Sequence, residues 1–198
     1  MSYIVGIVGG SGSGKSTIAN LLGEMLSAKG FTVSQLSQDS FYKPVGHPLT
    51  NYDEPKALEL DKLTSTLRSL KAGNKALIPT YDFVTHRRLD SMTSLEPTDY
   101  IIVEGLFLIS DELLRSSFDT TVYLDVPQSE CLRRRVIRDQ LERGRSIDDI
   151  KRQYYDQVLP GFNKYILPNA HQATITIETQ DPRIMTQNIC DILMNIGL

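Results

Sequence analysis

Three groups of residues in this 198-residue chain have the types and spacing to do chemistry. The first is Gly9, Gly10, Ser11, Gly12, Ser13, Gly14, Lys15 and Ser16, followed by Thr17, which fits the pattern G-x-x-x-x-G-K-[ST]. Glycines let a backbone curl with its N–H groups turned inward around phosphate oxygens, and a helix beginning at the loop adds positive potential. Lys15 is expected to reach the β- and γ-phosphates of a bound ATP or GTP, and Ser16 to ligate Mg2+. The plain alternative is a glycine-rich turn that merely joins a strand to a helix. Loops of this kind serve kinases, GTPases and ATPases alike, so the pattern fixes the phosphate donor and leaves the acceptor open.

The second group is two carboxylates. Ligands of an open parallel sheet bind outside the carboxyl ends of its strands, and Asp39 and Glu104 both fall there, Asp39 just past the second strand. Asp39 is the expected catalytic base, holding an attacking hydroxyl in line and taking its proton, and is a candidate metal-site residue with Ser16 and Glu104. Glu104 ends the run Ile101, Ile102, Val103 and is expected to position Mg2+. An Asx turn at Asp39 and a solvent-facing strand end at Glu104 are the structural alternatives. The third group is Arg133, Arg134, Arg135, Arg138, Arg143 and Arg145, of which Arg135 and Arg138 share a helix face. Charge builds on the γ-phosphoryl oxygens during transfer, so an arginine-bearing lid over about residues 138–150, hinged at Gly144, is a sensible device. Arg133 and Arg134 read as structural. A solvated basic face paired with Asp139 and Glu142 is the alternative for the cluster.

These residues need a scaffold. Tyr3 to Val8 reads as a buried parallel strand, followed from about Lys15 by a helix with Ile18, Leu22 and Leu26 on one face that ends near Gly30. Phe31 to Leu36 reads as a second strand, and Asp39 to Asp53 as a long irregular loop. Pro55 is expected to open a helix through Leu58, Leu63, Leu67 and Leu70, with Gly73 at its end. Ala76 to Leu89 reads as a hairpin or extended flap, Tyr100 to Val103 and Thr120 to Val126 as strands, and Ser129 to Arg143 as a helix. A further helix is expected from Ile147 towards Leu159, interrupted or bent at Pro160. Thr174 to Ile177 reads as a last strand, and Pro182 as the start of a terminal helix. The pattern predicts a single α/β domain over residues 1–198, with a parallel sheet covered by helices on both faces.

Composition narrows the partners. A net charge of -3 argues against a nonspecific nucleic-acid binder. Cys131 and Cys190 match no metal-ligand spacing and fit a reduced, cytoplasmic setting. The first ten residues do not read as a signal peptide, and no apolar run approaches the ~20 residues needed to cross a bilayer.

Several motifs together resemble the uridine kinase (uridine-cytidine kinase) family within the phosphoribulokinase/uridine kinase group. They are the Gly9–Ser16 loop, Ser37 to Tyr42, Asn51 to Pro55, Tyr81-Asp82-Phe83 with His86, Glu104-Gly105, and Arg134 to Asp139 leading to Arg143-Gly144-Arg145. The resemblance implies that Asp39 is the catalytic aspartate and that Asp53 binds the ribose hydroxyls together with Arg135. It implies a pyrimidine pocket of Tyr42, Tyr81, Phe83 and His86, a nucleoside site completed by Arg145 and Gln153, and donor phosphates met by Arg138 and Arg143. Read from the residues alone, Tyr81, Phe83 and His86 are equally an ordinary aromatic flap, and Asp53 a helix cap before Pro55. Tyr52 and Glu54 stand where the family usually has Phe and His, and Ala173-Thr174-Ile175 replaces its Ala-Asp-hydrophobic run. The implied activity is ATP-dependent phosphorylation of the 5′-hydroxyl of uridine or cytidine by a homo-oligomer, often a tetramer. The alternatives are a related kinase acting on nicotinamide riboside, pantothenate or a sugar, or a nucleotide-binding regulator without catalysis.

Overall fold

The computed structural model describes residues 1–44, 51–82 and 87–196. Its main sheet has five strands in the order β2-β5-β1-β6-β7, all paired in parallel. These are β1 (Tyr3–Gly9), β2 (Val33–Ser37), β5 (Tyr100–Gly105), β6 (Thr120–Asp125) and β7 (Ile175–Glu178). Successive side chains of a strand point to opposite faces, and the core divides accordingly. Ile4, Val8, Ile101 and Val103 pack with Leu63, Leu67 and Leu70 of α2 (Leu60–Lys71) and with Phe107 and Phe162. Val5, Ile7, Ile102 and Leu124 pack with Ile18, Leu22 and Leu26 of α1 (Lys15–Ala28) and with Met185, Ile189 and Leu193 of α7 (Pro182–Ile196). Both faces are therefore covered by helices, as the alternating pattern predicts. The parallel register brings the carboxyl ends of β1, β2 and β5 to one edge, with Ser37 and Ile7 both level with Glu104.

Several boundaries differ from expectation for local reasons. β2 starts at Val33 because Gly30, at φ 95°, closes α1, and the Phe31 amide bonds back to Leu26. The Phe31 ring packs edge-on against Tyr100 at 5.1 Å instead of entering the sheet. Pro55 opens only a 3-10 turn (Pro55–Ala57), since Leu58 is drawn into a bridge with Tyr42 before α2 begins. The hairpin of β3 (Ala76–Asp82) and β4 (Arg87–Leu95) runs past Leu89, with an irregularity between Pro79 and Tyr81.

A short helix α3 (Glu112–Arg115) is capped by Asp111, which accepts from the Leu114 amide at 2.8 Å. The arginine-bearing helix α4 (Gln128–Arg143) ends at Gly144 in the left-handed region, and α5 (Ile147–Gln153) restarts under a Ser146 cap. The helical path then continues through π turns (Tyr154–Val158 and Phe162–Ile166) on either side of α6 (Leu159–Gly161). Pro160 therefore does not end the helix: it falls where the ordinary i to i−4 ladder is already relaxed into wider turns. Thr174 stays outside β7 because it exchanges bonds with Thr121, amide to hydroxyl at 3.2 and 3.0 Å. Cys131 and Cys190 are buried and free. Among the described residues no helix is long and apolar enough to cross a membrane.

Candidate active site

The glycine loop between β1 and α1 is shaped by its neighbours as well as by phosphate chemistry. Gly12 has φ 89° and Gly14 φ 96°. A Cβ at Gly12 would sit 2.2 Å from the carbonyl oxygen of Cys131, so the loop packs directly on the backbone of α4. Gly9, Gly10 and Ser13 are buried behind the loop, Gly14 is the N-cap of α1, and Thr17 is exposed on the first turn. Ser11, Gly12, Lys15 and Ser16 line a cleft. The Lys15 ammonium donates to the Gly10 carbonyl at 2.9 Å. Burial pulls its pKa below the ordinary value, while the negative charges of Glu104 and Asp39 pull it back.

Asp39 sits in a 3-10 turn (Gln38–Phe41) that continues β2 over the same edge. The turn is capped by Ser37, whose hydroxyl accepts from the Asp39 amide at 3.3 Å and donates to Oε1 of Glu104 at 2.6 Å. One serine thus sets two carboxylates beside the phosphate loop. The cap being Ser37, Asp39 is not an Asx turn, and Glu104 lines the cleft and does not face open solvent. Burial, then the like charge of Glu104, pushes the Asp39 carboxyl up to about 7, against opposing pulls from Lys15, Arg143 and Arg138. Behind them Gln38 is fully buried and accepts from the Phe107 amide at 3.0 Å. Gly105 leaves it room, since a Cβ there would lie 2.5 Å from Gln38. A hydroxyl and two carboxylates are hard oxygen donors, and mutual repulsion between the carboxylates is relieved by a divalent cation, so Ser16, Asp39 and Glu104 fit Mg2+.

The far wall of the cleft is aromatic and acidic. Tyr42, Tyr52, Tyr81, Asp53 and Gln153 line it. The Tyr42 ring lies 5.6 Å from Tyr52 and 5.2 Å from Tyr81, and its hydroxyl donates to the Tyr52 carbonyl at 3.3 Å. Burial, with Tyr52 and Asp39 nearby, pushes Tyr81 up to about 12, so its hydroxyl stays protonated. Burial raises the Asp53 carboxyl and Arg135 draws it back down. The 3-10 turn at Pro55 takes Glu54 as its N-cap, without a side-chain bond, so Asp53 is not the helix cap. A Cβ on Gly161 would fall 2.4 Å from the Asp53 carbonyl oxygen, so the absence of a side chain there lets the π-turn segment support the Asp53 loop. Glu54 turns away, pairing with Lys56 at 2.6 Å and accepting from Asn51 at 3.2 Å. Phe83 and His86 lie outside the described residues.

Arg133 and Arg143 are exposed, but Arg135 is drawn inward. Arg135 and Asp139 are both buried, and Asp139 forms ion pairs with Arg135, Arg138, Arg143 and Arg145. Arg135, Arg138 and Arg143 line the cleft. Arg135 donates to the Ser11 hydroxyl at 2.5 Å and to Gln153 at 2.9 Å. Arg145 does not line the cleft: it donates to the same Gln153 oxygen at 2.6 Å. Arg133 and Arg134 pair with Glu130, and Arg134 also donates to the Ser13 carbonyl at 3.2 Å, tying α4 to the glycine loop. Asp139, Ser37 and Gly161 escaped the sequence reading as site residues. The i, i+4 spacing of Arg135, Asp139 and Arg143 was the available signal for the first.

The model of the phosphoribulokinase/uridine kinase family matches residues 4–186. The chain belongs to that family. It is 40% identical over 182 residues to the uridine kinase of Shewanella pealeana, covering 88% of this chain and 86% of the relative. It is 39% identical over 180 residues to that of Staphylococcus haemolyticus, with the same coverage. Among solved structures, one described as a possible uridine kinase from Bacillus stearothermophilus superposes with a TM-score of 0.67 at 24% identity, over 89% of this chain and 88% of the other. The phosphoribulokinase of Rhodobacter spheroides does so with a TM-score of 0.67 at 17% identity, over 92% and 74%. The fold is that of P-loop kinases, and this family member is a phosphotransferase with an alcohol group as its acceptor.

Proposed function

We propose that the protein transfers the γ-phosphoryl group of ATP to the 5′-hydroxyl of uridine or cytidine, giving UMP or CMP. The observation that carries the reading is one cleft lined by a P-loop lysine, a half-buried aspartate and an aromatic, acidic wall. Relatives at 39% and 40% identity named uridine kinases support the acceptor class. In the proposed reaction the nucleoside hydroxyl oxygen attacks the γ-phosphorus, the bond to the β–γ bridging oxygen breaks, and ADP leaves. Asp39 takes the hydroxyl proton. Lys15, Arg138 and Arg143 face the charge on the transferring oxygens. Ser16, Asp39 and Glu104 would hold Mg2+, which supplies charge neutralisation of the phosphates. Asp53 and Arg135 would bind the ribose diol, with Tyr42 and Tyr81 against the base and Gln153, oriented by Arg145, completing the site.

The same proposal takes residues 1–198 as one domain, with residues 138–150 as a lid and about residues 76–89, part of the β3–β4 hairpin, as a flap over the nucleoside. It takes the assembly to be a homo-oligomer, in keeping with the family resemblance, and the compartment to be the cytoplasm, in keeping with two free buried cysteines. ADP release with Mg-ATP, measured across uridine, cytidine, deoxynucleosides, nicotinamide riboside, pantothenate and simple sugars, tests the acceptor. Strong turnover with uridine or cytidine is expected. Turnover confined to another acceptor keeps the phosphotransferase and removes the pyrimidine assignment.

A further inference from the structure

Four guanidinium groups crowd one buried carboxylate, and they are sorted between its two oxygens. Oδ1 of Asp139 holds Arg138, through Nε at 2.9 Å and a terminal nitrogen at 2.8 Å, and Arg143 at 3.4 Å. Oδ2 holds Arg135 at 3.7 Å and Arg145 at 3.5 Å. The sorting follows the two halves of the cleft, with Arg135 also reaching across to the Ser11 hydroxyl of the glycine loop at 2.5 Å. Arg138 and Arg143 act electrostatically on Asp39, and Arg138 on Lys15. Arg135 acts on Asp53 and shares the Gln153 oxygen with Arg145. We propose that Asp139 is a positioning residue that couples the donor and acceptor halves of the cleft, so that filling either half presets the arginines of the other.

The coupling rests on the assignment of the halves to nucleotide and nucleoside given above. Its physical basis is unequal anchoring. On Oδ1, Arg138 is held at 2.9 and 2.8 Å, whereas on Oδ2 Arg145 reaches only 3.5 Å and Nε of Arg135 is buried without a hydrogen-bond partner, 3.7 Å away. A shift of less than 1 Å would turn that ion pair into a hydrogen bond and satisfy a buried donor, which is favourable in a site shielded from water. The four cations repel one another, with Arg138 and Arg143 opposing the charge on Arg135. Asp139 is therefore the counter-charge shared by both pairs. Phosphate oxygens drawing Arg138 and Arg143 leave more of the carboxylate to Arg135 and Arg145. A ribose diol fixing Arg135 does the reverse.

Binding of Mg-AMPPNP to the full chain, titrated with and without saturating uridine, and the reciprocal titration, test this. In the wild type each ligand is expected to change the affinity of the other by the same factor, roughly fivefold or more. Asp139→Asn keeps the size of the side chain but replaces one oxygen by a donor facing arginines, and the factor should fall to about one. Arg145→Gln, which removes one of the two cations on Oδ2, should lower the factor, and it decides the matter where Asp139→Asn does not fold. Independent binding in the wild type, or full coupling in the folded variants, overturns the proposal. Turnover of the same protein preparations with Mg-ATP separates the two readings: turnover with uncoupled binding removes only the role of Asp139. Turnover with no nucleoside removes the proposed function, and coupling is then measured with the acceptor that does react.

Discussion

Asp39→Asn should destroy activity and stabilise the fold. Asp39 is half-buried beside Glu104, and its carboxyl rises from an ordinary 3.8 to about 7. The folded state holds this proton more tightly than the unfolded chain. Stability from this group is therefore fully present below about pH 4 and is lost as pH rises towards 7. A rise of that size corresponds to about 4 kcal/mol at pH 8 and to about 2 kcal/mol at pH 5, as upper bounds. Asparagine has the same shape and no charge. Its advantage over the wild type should therefore grow by about 2 kcal/mol between pH 5 and pH 8, roughly 4–8 °C in melting temperature for a chain of this length. The assay is thermal melting of metal-free protein in a chelator across that pH range, beside kcat at saturating Mg-ATP, which should fall at least about a hundredfold. A variant that melts below the wild type at pH 8, or whose advantage is the same at pH 5 and pH 8, would refute the reasoning.

Ser37→Ala removes the 2.6 Å bond to Glu104 and the cap on the Asp39 turn. The Mg2+ concentration for half-maximal activity should rise roughly tenfold, as for loss of a group that orients a metal ligand, and an unchanged Mg2+ titration would contradict that role. Gly161→Ala places a Cβ 2.4 Å from the Asp53 carbonyl oxygen. It should raise KM for the nucleoside about tenfold or more with little change in KM for ATP, and cost roughly 1–3 kcal/mol in denaturant melts.

The parts of the site visible in the sequence are those that local chemistry dictates. The glycine loop carries its own spacing, Glu104 follows an apolar run directly, and Asp39 falls just past the second strand. The helical spacing of Arg135 and Arg138 likewise placed both on the cleft. What stayed hidden depends on contacts between distant segments. Gly161 matters because the chain returns to meet Asp53, and Ser37 because β2 lies beside β5 in a sheet whose order no local pattern states. Asp139 looked like a surface ion-pair partner, since a charged residue among arginines on a helix is usually solvated. Its burial follows only when α4 packs on the glycine loop through Gly12 and Cys131. Pro160 misled for a related reason: the π turns around it are set by packing of Tyr154, Val158, Phe162 and Ile166 into the core.

The central claim is tested most directly by identifying the product formed from Mg-ATP and uridine with phosphorus NMR. The account predicts a monophosphate whose phosphorus couples to the two 5′ protons, formed in step with ADP and absent with Asp39→Asn. A phosphate on the 2′- or 3′-oxygen, or ADP released as free phosphate accumulates with no nucleotide product, would contradict it.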